Sequence, residues 1–230
     1  MIKLLLIEDD TNLGYIIKTS LEEIIGGYDI SLASNAKEGL GFFRETSYDI
    51  IVSDVEMPEM NGFEMVQIMR QTDKNIPIIF ASAKISPKDV TTGFTSGGNN
   101  YIKKPFLPEE LDAYIKALLN LTDKSGFAAQ TSSDIYHIGT YIFDAAHYSL
   151  IYNNEKHQLT QRETEILKLL CDNKSDVVKR QDILLKYWGT DDYFVSRSLD
   201  VFISKMRKYF SNDESVILKT IKGVGFIFDY

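Results

Sequence analysis

The feature that most constrains this chain is a rhythm in its first half. Short apolar runs at residues 4–7, 30–33, 50–53, 78–81 and 101–102 alternate with longer amphipathic stretches. Such alternation predicts β/α units whose strands lie parallel in one sheet, with the helices as crossovers. The helix starts agree. Asn35 with Glu38 three residues on reads as a capping box, Ser86 and Pro87 open a further helix, and Pro108 opens the last. Five strands and five helices in about 120 residues predict a doubly wound α/β sheet, which binds ligands at the carboxyl ends of its strands where the strand order reverses.

After Leu121 the segment TDKSGFAAQTSSD is small and polar with no apolar period, and it is predicted to link two domains. The expected division is 1–121, a linker at 122–132, and 133–230. The second part opens with β-prone runs at 136–138, 141–143 and 149–152, followed by a capping box of Thr160 and Glu163 ahead of ILKLLC. Helical stretches follow near 180–188 and 195–210. Two β-rich runs around Lys222, Gly223 and Gly225 then read as a hairpin. Three helices and a terminal hairpin predict a winged helix-turn-helix domain of the α+β class.

Composition narrows the rest. The chain is 44% hydrophobic and 25% charged, as ordinary soluble proteins are. The opening MIKLLLIEDD reaches its acids too soon for a signal sequence or a membrane span, so a cytoplasmic protein without membrane contact is expected. The single cysteine, Cys171, can form no internal disulfide and is expected in the core. The net charge of −8 is unevenly spread. Residues 1–122 hold 11 Lys and Arg against 18 Asp and Glu, and residues 123–230 hold 14 against 15. Within 197–208, Arg197, Lys205, Arg207 and Lys208 face only Asp200, a local excess suited to nucleic acid.

Chemistry-bearing residues fall at successive strand ends. Glu8, Asp9 and Asp10 follow the first strand, Asp54 ends the third, Ser82 ends the fourth and Lys104 follows the fifth. Carboxylates gathered on one sheet edge raise one another's energy unless a cation sits among them, and an oxygen cage with room for water suits Mg²⁺. With that repulsion screened, Asp54 can attack a phosphoryl group, Lys104 can stabilise its oxygens, and Ser82 can hold the product. Lys104 precedes Pro105, a site for a cis peptide bond. In the second part, a helix over 195–210 would bury Leu199, Ile203, Met206 and Phe210 and leave Arg197, Val201, Ser204, Lys205 and Lys208 on the opposite, open face.

The segments IEDD, SDVEMPEMNG, FASAK and YIKKPF resemble the receiver domain of bacterial two-component response regulators, and the whole length resembles the OmpR/PhoB subfamily. The resemblance implies a flavodoxin-like receiver with Glu8 and Asp9 as its acid pair and Asp54 as the phosphorylated aspartate. It gives Glu56 a metal contact through its backbone carbonyl and leaves Asp10 a bystander. Ser82 matches the switch hydroxyl, Tyr101 the switch aromatic, and Lys104 the lysine that contacts phosphate. The histidines His137, His147 and His157 all lie in the second part. The phosphoryl donor is therefore expected to be a sensor histidine kinase or a small phosphodonor.

The same resemblance makes 195–210 the recognition helix and places Thr220, Lys222 and Gly223 in the wing. Double-stranded DNA would then be met by Arg197, Val201, Ser204, Lys205, Arg207, Lys208, Thr220 and Lys222. Lys205 stands where the family commonly has Arg, and Phe202 replaces a frequent histidine. The loop 190–194, with Asp191 and Asp192, falls where the family meets RNA polymerase. An active homodimer is implied. No enzymatic activity is expected beyond Mg²⁺-dependent self-phosphorylation and self-dephosphorylation at Asp54.

Some residues depart from the pattern. Asn99 and Asn100 replace two acids, and Val90, Thr92 and Tyr114 stand where bases are usual, although Glu110 remains. Those charges normally fix the dimer, so either apolar and amide contacts hold it here or the face is solvated and has drifted. Glu56 and Lys84, two residues beyond Asp54 and Ser82, can pair over the site and slow the loss of phosphate. Three rival readings stand beside this one. A flavodoxin-like nucleotide binder would find its phosphate repelled by Glu8 to Asp10. A phosphatase of the haloacid dehalogenase type would find no substrate domain in a winged helix. An OmpR-type regulator that binds DNA without needing phosphate is the most serious.

Overall fold

In the computed structural model, which describes residues 1–84, 86–124, 134–189, 191 and 193–230, the chain divides into two compact units, Met1–Ser125 and Gly126–Tyr230. The first is a five-stranded sheet of β1 (Ile2–Ile7), β2 (Tyr28–Ala33), β3 (Ile50–Asp54), β4 (Ile78–Ser82) and β5 (Asn100–Lys103). All pairs are parallel, and the order is β2-β1-β3-β4-β5. The order reverses between β1 and β3, so the crevice where ligands bind in such sheets opens beside the ends of the strands that carry Glu8 and Asp54.

Alternation along each strand sorts the core into two layers. On one face Leu4, Leu6, Ile50 and Val52 pack with Ile17 of α1 (Thr11–Thr19), with Leu21 of the π-helical segment Ser20–Ile25 that continues it, and with Leu111 and Ile115 of α5 (Pro108–Lys124). On the other lie α2 (Ala36–Glu45), α3 (Gly62–Thr72) and α4 (Pro87–Ser96), where Ile7 closes on Gly39 and the Phe80 ring meets Phe63 edge-on at 5.0 Å. Burying one such aliphatic side chain contributes about 1.5–3 kcal/mol. Five apolar strands covered on both faces therefore hold the strand ends rigidly.

Caps fix where the helices start. Ser86 accepts from the Asp89 N–H with Pro87 in the first turn, and Asn61 forms a full capping box with Glu64, worth about 1 kcal/mol. At Asn35 only half of the expected box forms. Its side chain accepts from the Glu38 N–H, while the Glu38 carboxylate turns to the Ser34 N–H and hydroxyl. The expected linker begins inside a helix, because residues 122–124 are the last turn of α5. Residues 125–132 lie outside the described residues.

The second unit opens with an antiparallel sheet of β6 (Ile135–Ile138), β7 (Tyr141–Asp144), β8 (Ser149–Tyr152) and β9 (Glu155–Gln158). Asn153 and Asn154, both at positive φ, make the two-residue turn between β8 and β9. Then come α6 (Gln161–Asp172), β10 (Val177–Lys179), α7 (Arg180–Trp188), α8 (Tyr193–Tyr209), β11 (Ile217–Ile221) and β12 (Gly225–Asp229). The last two pair as the expected hairpin, and β10 joins them in the order β10-β12-β11. Thr160 and Glu163 form the expected capping box on α6. Cys171 is buried as expected, and burial pushes its thiol up to about 12. Among the described residues, no helix is long and apolar enough to cross a membrane.

Candidate functional site

At the carboxyl edge of the parallel sheet the strand ends bring four expected residues together. Asp54 and Glu8 are buried, and the Lys104 ammonium bridges them, donating to Asp54 Oδ2 at 2.6 Å and to Glu8 Oε2 at 2.6 Å. Asp54 is held at its other oxygen too, where the Glu56 N–H donates to Oδ1 at 2.9 Å. Its carboxylate is thus fixed in one orientation. Gly62 explains part of the sequence after Asp54. A Cβ there would stand 2.2 Å from the Asp54 carbonyl oxygen, so only glycine lets α3 begin this close to the site.

Charge and burial oppose one another here. Burial pushes the Glu8 carboxyl up to about 7 against the pull of Lys104, and the Asp54 charge adds to the rise. For Lys104 burial acts downward, but its bonds to Asp54 and Glu8 outweigh it and raise the ammonium above its usual value. Glu8, Asp9 and Asp54 each offer a carboxylate oxygen within 4.8 Å of the others. This all-oxygen set fits a hard divalent cation. Asp10, by contrast, caps α1, its side chain accepting from the N–H groups of Asn12 and Leu13. The Glu56 side chain turns away from the triad to pair with Lys84 at 3.0 Å, across a depression of about 530 Å³ that Asp9, Asn61 and Asp89 also line.

The two expected switch residues meet at one peptide. Ser82, fully buried, accepts from the Lys84 N–H at 3.0 Å, and the Tyr101 hydroxyl donates to the Lys84 carbonyl oxygen at 2.6 Å. Burial pushes the Tyr101 phenol up to about 12, which keeps it a donor at neutral pH.

Several of the residues that depart from the family pattern turn inward. Asn99 and Asn100 are buried, and Asn99 Oδ1 accepts from Arg70 Nη2 at 3.0 Å and from the Ile78 N–H at 2.8 Å. Val90 is fully buried, and Tyr114 is partly buried against the core. Arg70, which sequence reasoning passed over, also donates twice to the Gly97 carbonyl oxygen where α4 ends. An arginine in an amphipathic pattern gives no sign that it will be buried, because Gly97 and Asn99, which receive it, lie far along the chain.

In the second unit α8 buries Leu199, Ile203 and Met206 as expected, and Phe210, just past its end, is buried with them. Its other face is less open than forecast. Val201 is only 8% exposed, packed rather than presented. Lys205 is half-buried and pairs with the buried Glu163 of α6 at 3.2 Å, and the Tyr209 hydroxyl donates to the same carboxylate. Arg207 is tied to the hairpin, donating to the Leu218 carbonyl oxygen at 2.9 Å and to Thr220 Oγ1 at 2.7 Å. Arg197, Ser204 and Lys208 are exposed on the helix, and Lys222 is exposed in the hairpin turn. Of the loop 190–194, Thr190 and Asp192 lie outside the described residues, while Tyr193 and Phe194 already belong to α8.

A rigid acid-lysine site on a 2-1-3-4-5 parallel sheet, followed by a winged helix, defines a signalling module joined to a DNA-binding one. Residues 4–116 match the family described as response regulator receiver domain, and residues 154–228 match transcriptional regulatory protein, C terminal. The chain is 36% identical to transcriptional regulatory protein RprY of Bacteroides fragilis, over 98% of this chain and 93% of that one. It is 32% identical to response regulator ArlR of Staphylococcus saprophyticus, over 99% of each. Among solved structures it is similar to the response regulator DrrB, an OmpR/PhoB homologue from Thermotoga maritima, with 25% identity, full coverage of both chains and a TM-score of 0.51. The chain belongs to the OmpR/PhoB-type response regulators and is a DNA-binding regulator of transcription. The nucleotide-binder and phosphatase readings fall with that assignment, and the phosphate-independent one is not favoured.

Proposed function

We propose that Asp54 accepts the phosphoryl group, and that Glu8, Asp9, Asp54 and the Glu56 backbone carbonyl hold Mg²⁺ for the transfer. The observation that carries this reading is Lys104, whose ammonium lies 2.6 Å from both Asp54 and Glu8, with Asp9 beside them at ligand spacing. Mg²⁺, when bound, neutralises the acids and the oxygens of the transferring group. Asp54, already oriented by Lys104 and the Glu56 N–H, attacks phosphorus. The new bond joins its carboxylate oxygen to phosphorus while the bond from phosphorus to the donor atom breaks, and the donor leaves with that electron pair. Lys104 follows the charge onto the phosphoryl oxygens. Ser82, whose oxygen accepts from Lys84, keeps its own proton to donate to one of those oxygens.

That donation draws the Ser82 hydroxyl toward the phosphoryl group while its oxygen still accepts from the Lys84 N–H, so the Lys84 peptide, where Tyr101 is also anchored, is pulled along. Phosphorylation therefore biases both switch residues through a single peptide, shifting the population toward a receiver dimer. Two winged helices would then occupy adjacent half-sites. Exposed Arg197, Ser204, Lys208 and Lys222 are the leading candidates to meet DNA. Lys205, Arg207 and Thr220 contribute from braced positions, and Val201 contributes only its edge. The donor is a sensor histidine kinase or a small phosphodonor, the 190–194 loop is a candidate contact for RNA polymerase, and the protein acts in the cytoplasm.

Light scattering at fixed concentration, with and without Mg²⁺ and beryllofluoride, tests this reading against Asp54→Asn. A monomer that becomes a dimer only in the wild type supports it. Constant mass in a wild type that binds the mimic returns the phosphate-independent regulator. Incubation with Mg²⁺ and acetyl phosphate should add one phosphoryl mass to the wild type and none to Asp54→Asn.

A further inference from the structure

Arg180, the first residue of α7, would pass in the sequence for one more cation near DNA. Its contacts point inward instead. Nε donates to Ser196 Oγ at 3.0 Å, Nη1 donates to Asp200 Oδ1 at 2.8 Å, and Nη2 donates to the Ser196 carbonyl oxygen. Its backbone N–H donates to the Val224 carbonyl oxygen in the hairpin turn at 2.9 Å, and its guanidinium lies 5.9 Å from the Phe226 ring of β12. One side chain with its peptide thus joins the start of α7, the early turns of α8 and the wing. A planar, permanently charged fork does this where a single ammonium could not, because the acceptors lie in different directions.

Asp200 is the second half of the arrangement. One carboxylate oxygen is engaged by Arg180, and the other lies 3.9 Å from Nη1 of Arg197, an exposed cation of α8. With Arg180 absent, that carboxylate would be drawn wholly to Arg197 and would offset the charge that α8 offers to phosphate.

We propose that Arg180 is a positioning residue for DNA recognition, locking α8 to α7 and the wing while keeping one carboxylate oxygen of Asp200 from Arg197. The proposal rests on the reading that Arg197 meets DNA. It predicts coupling between two residues of which neither need touch the duplex.

The test is binding of the full chain to a fluorescent mixed-sequence duplex, followed by anisotropy across a salt series. The wild type is compared with Arg180→Ala, Asp200→Ala and the double variant, each first shown to melt cooperatively. Arg180→Ala should weaken binding about tenfold, and adding Asp200→Ala should restore most of that loss and the wild-type salt slope, whereas Asp200→Ala alone should gain about threefold at most. If Arg180→Ala loses its cooperative melt, Arg180→Lys replaces it, since lysine keeps the charge but cannot span Ser196 and Asp200. An equal gain from Asp200→Ala in both backgrounds would overturn the proposal. So would a slope in Arg180→Ala smaller by about one counterion that the second substitution leaves unrestored, the mark of a direct phosphate contact. A wild type that does not bind the duplex at all overturns the reading of Arg197 and the proposal together, whereas additive variants of a binding wild type overturn the proposal alone.

Discussion

The Tyr101 hydroxyl donates to the carbonyl oxygen of Lys84 at 2.6 Å. Since the Lys84 N–H is held by Ser82 Oγ, this peptide is pinned at both ends by the two residues through which the phosphoryl signal is proposed to pass. Removing the phenol should free one end. Tyr101→Phe keeps the ring against Phe80 and loses a hydrogen bond worth about 1 kcal/mol, so little stability is lost. Amide exchange at Lys84 should rise several-fold without phosphate and change less on adding beryllofluoride than in the wild type.

Mg²⁺ should stabilise the receiver unit. A cation that binds only the folded state contributes about 1.4 kcal/mol at ten times its dissociation constant. Thermal melts of the full chain in saturating MgCl₂ should show the receiver transition rise by a few degrees. Asp9→Asn should abolish the rise without lowering the melt measured in chelator.

The Glu56–Lys84 pair spans the mouth of the site with both side chains about half exposed, so its worth to stability is small. Its effect should be kinetic. Glu56→Ala should lose phosphate several-fold faster than the wild type when decay is followed from radiolabelled protein. Half-lives of seconds in both would remove this role.

Glu163 gives the second unit a defined acid limit. Burial pushes its carboxyl up, but the Lys205 ammonium, the Thr160 N–H and a further bond with Thr160 outweigh burial, and the net shift is downward from 4.5. A depressed acid contributes stability that is present above its unfolded value and is lost as pH falls through its folded one. Melts of the second unit should therefore hold steady above pH 4.5 and fall below it. Glu163→Ala strands Lys205 and removes its half of the α6 capping box, and should cost about 3 kcal/mol or more at pH 7.

What could be read from the sequence was whatever repeats locally. Apolar runs marked the five parallel strands because strands buried on both faces need no partner's identity to be recognised. The acids, Ser82 and Lys104 were legible because they sit at the ends of those runs, where the chain direction alone brings them to one edge. Strands β9 and β10 were not legible. EKHQ is polar throughout, and β10 exists because Gly225 lets β12 approach the Val178 carbonyl oxygen, where a Cβ would come within 2.0 Å.

The assignment of individual charges belonged to the tertiary structure. The sequence by itself determined that Lys205, Arg207, Arg180 and Arg70 carry charge and that Asn99 and Asn100 are polar. It did not determine which partner each one finds. Glu163 lies 42 residues from Lys205, Ser196 lies 16 from Arg180, and Asn99 lies 29 from Arg70. A long polar side chain reads as solvent-facing in any local pattern, because burial requires a complementary group that only the closed fold delivers. The fold and the acid-lysine site were therefore written in local order. Which cations face outward, and which hold the molecule together, was decided when distant elements packed.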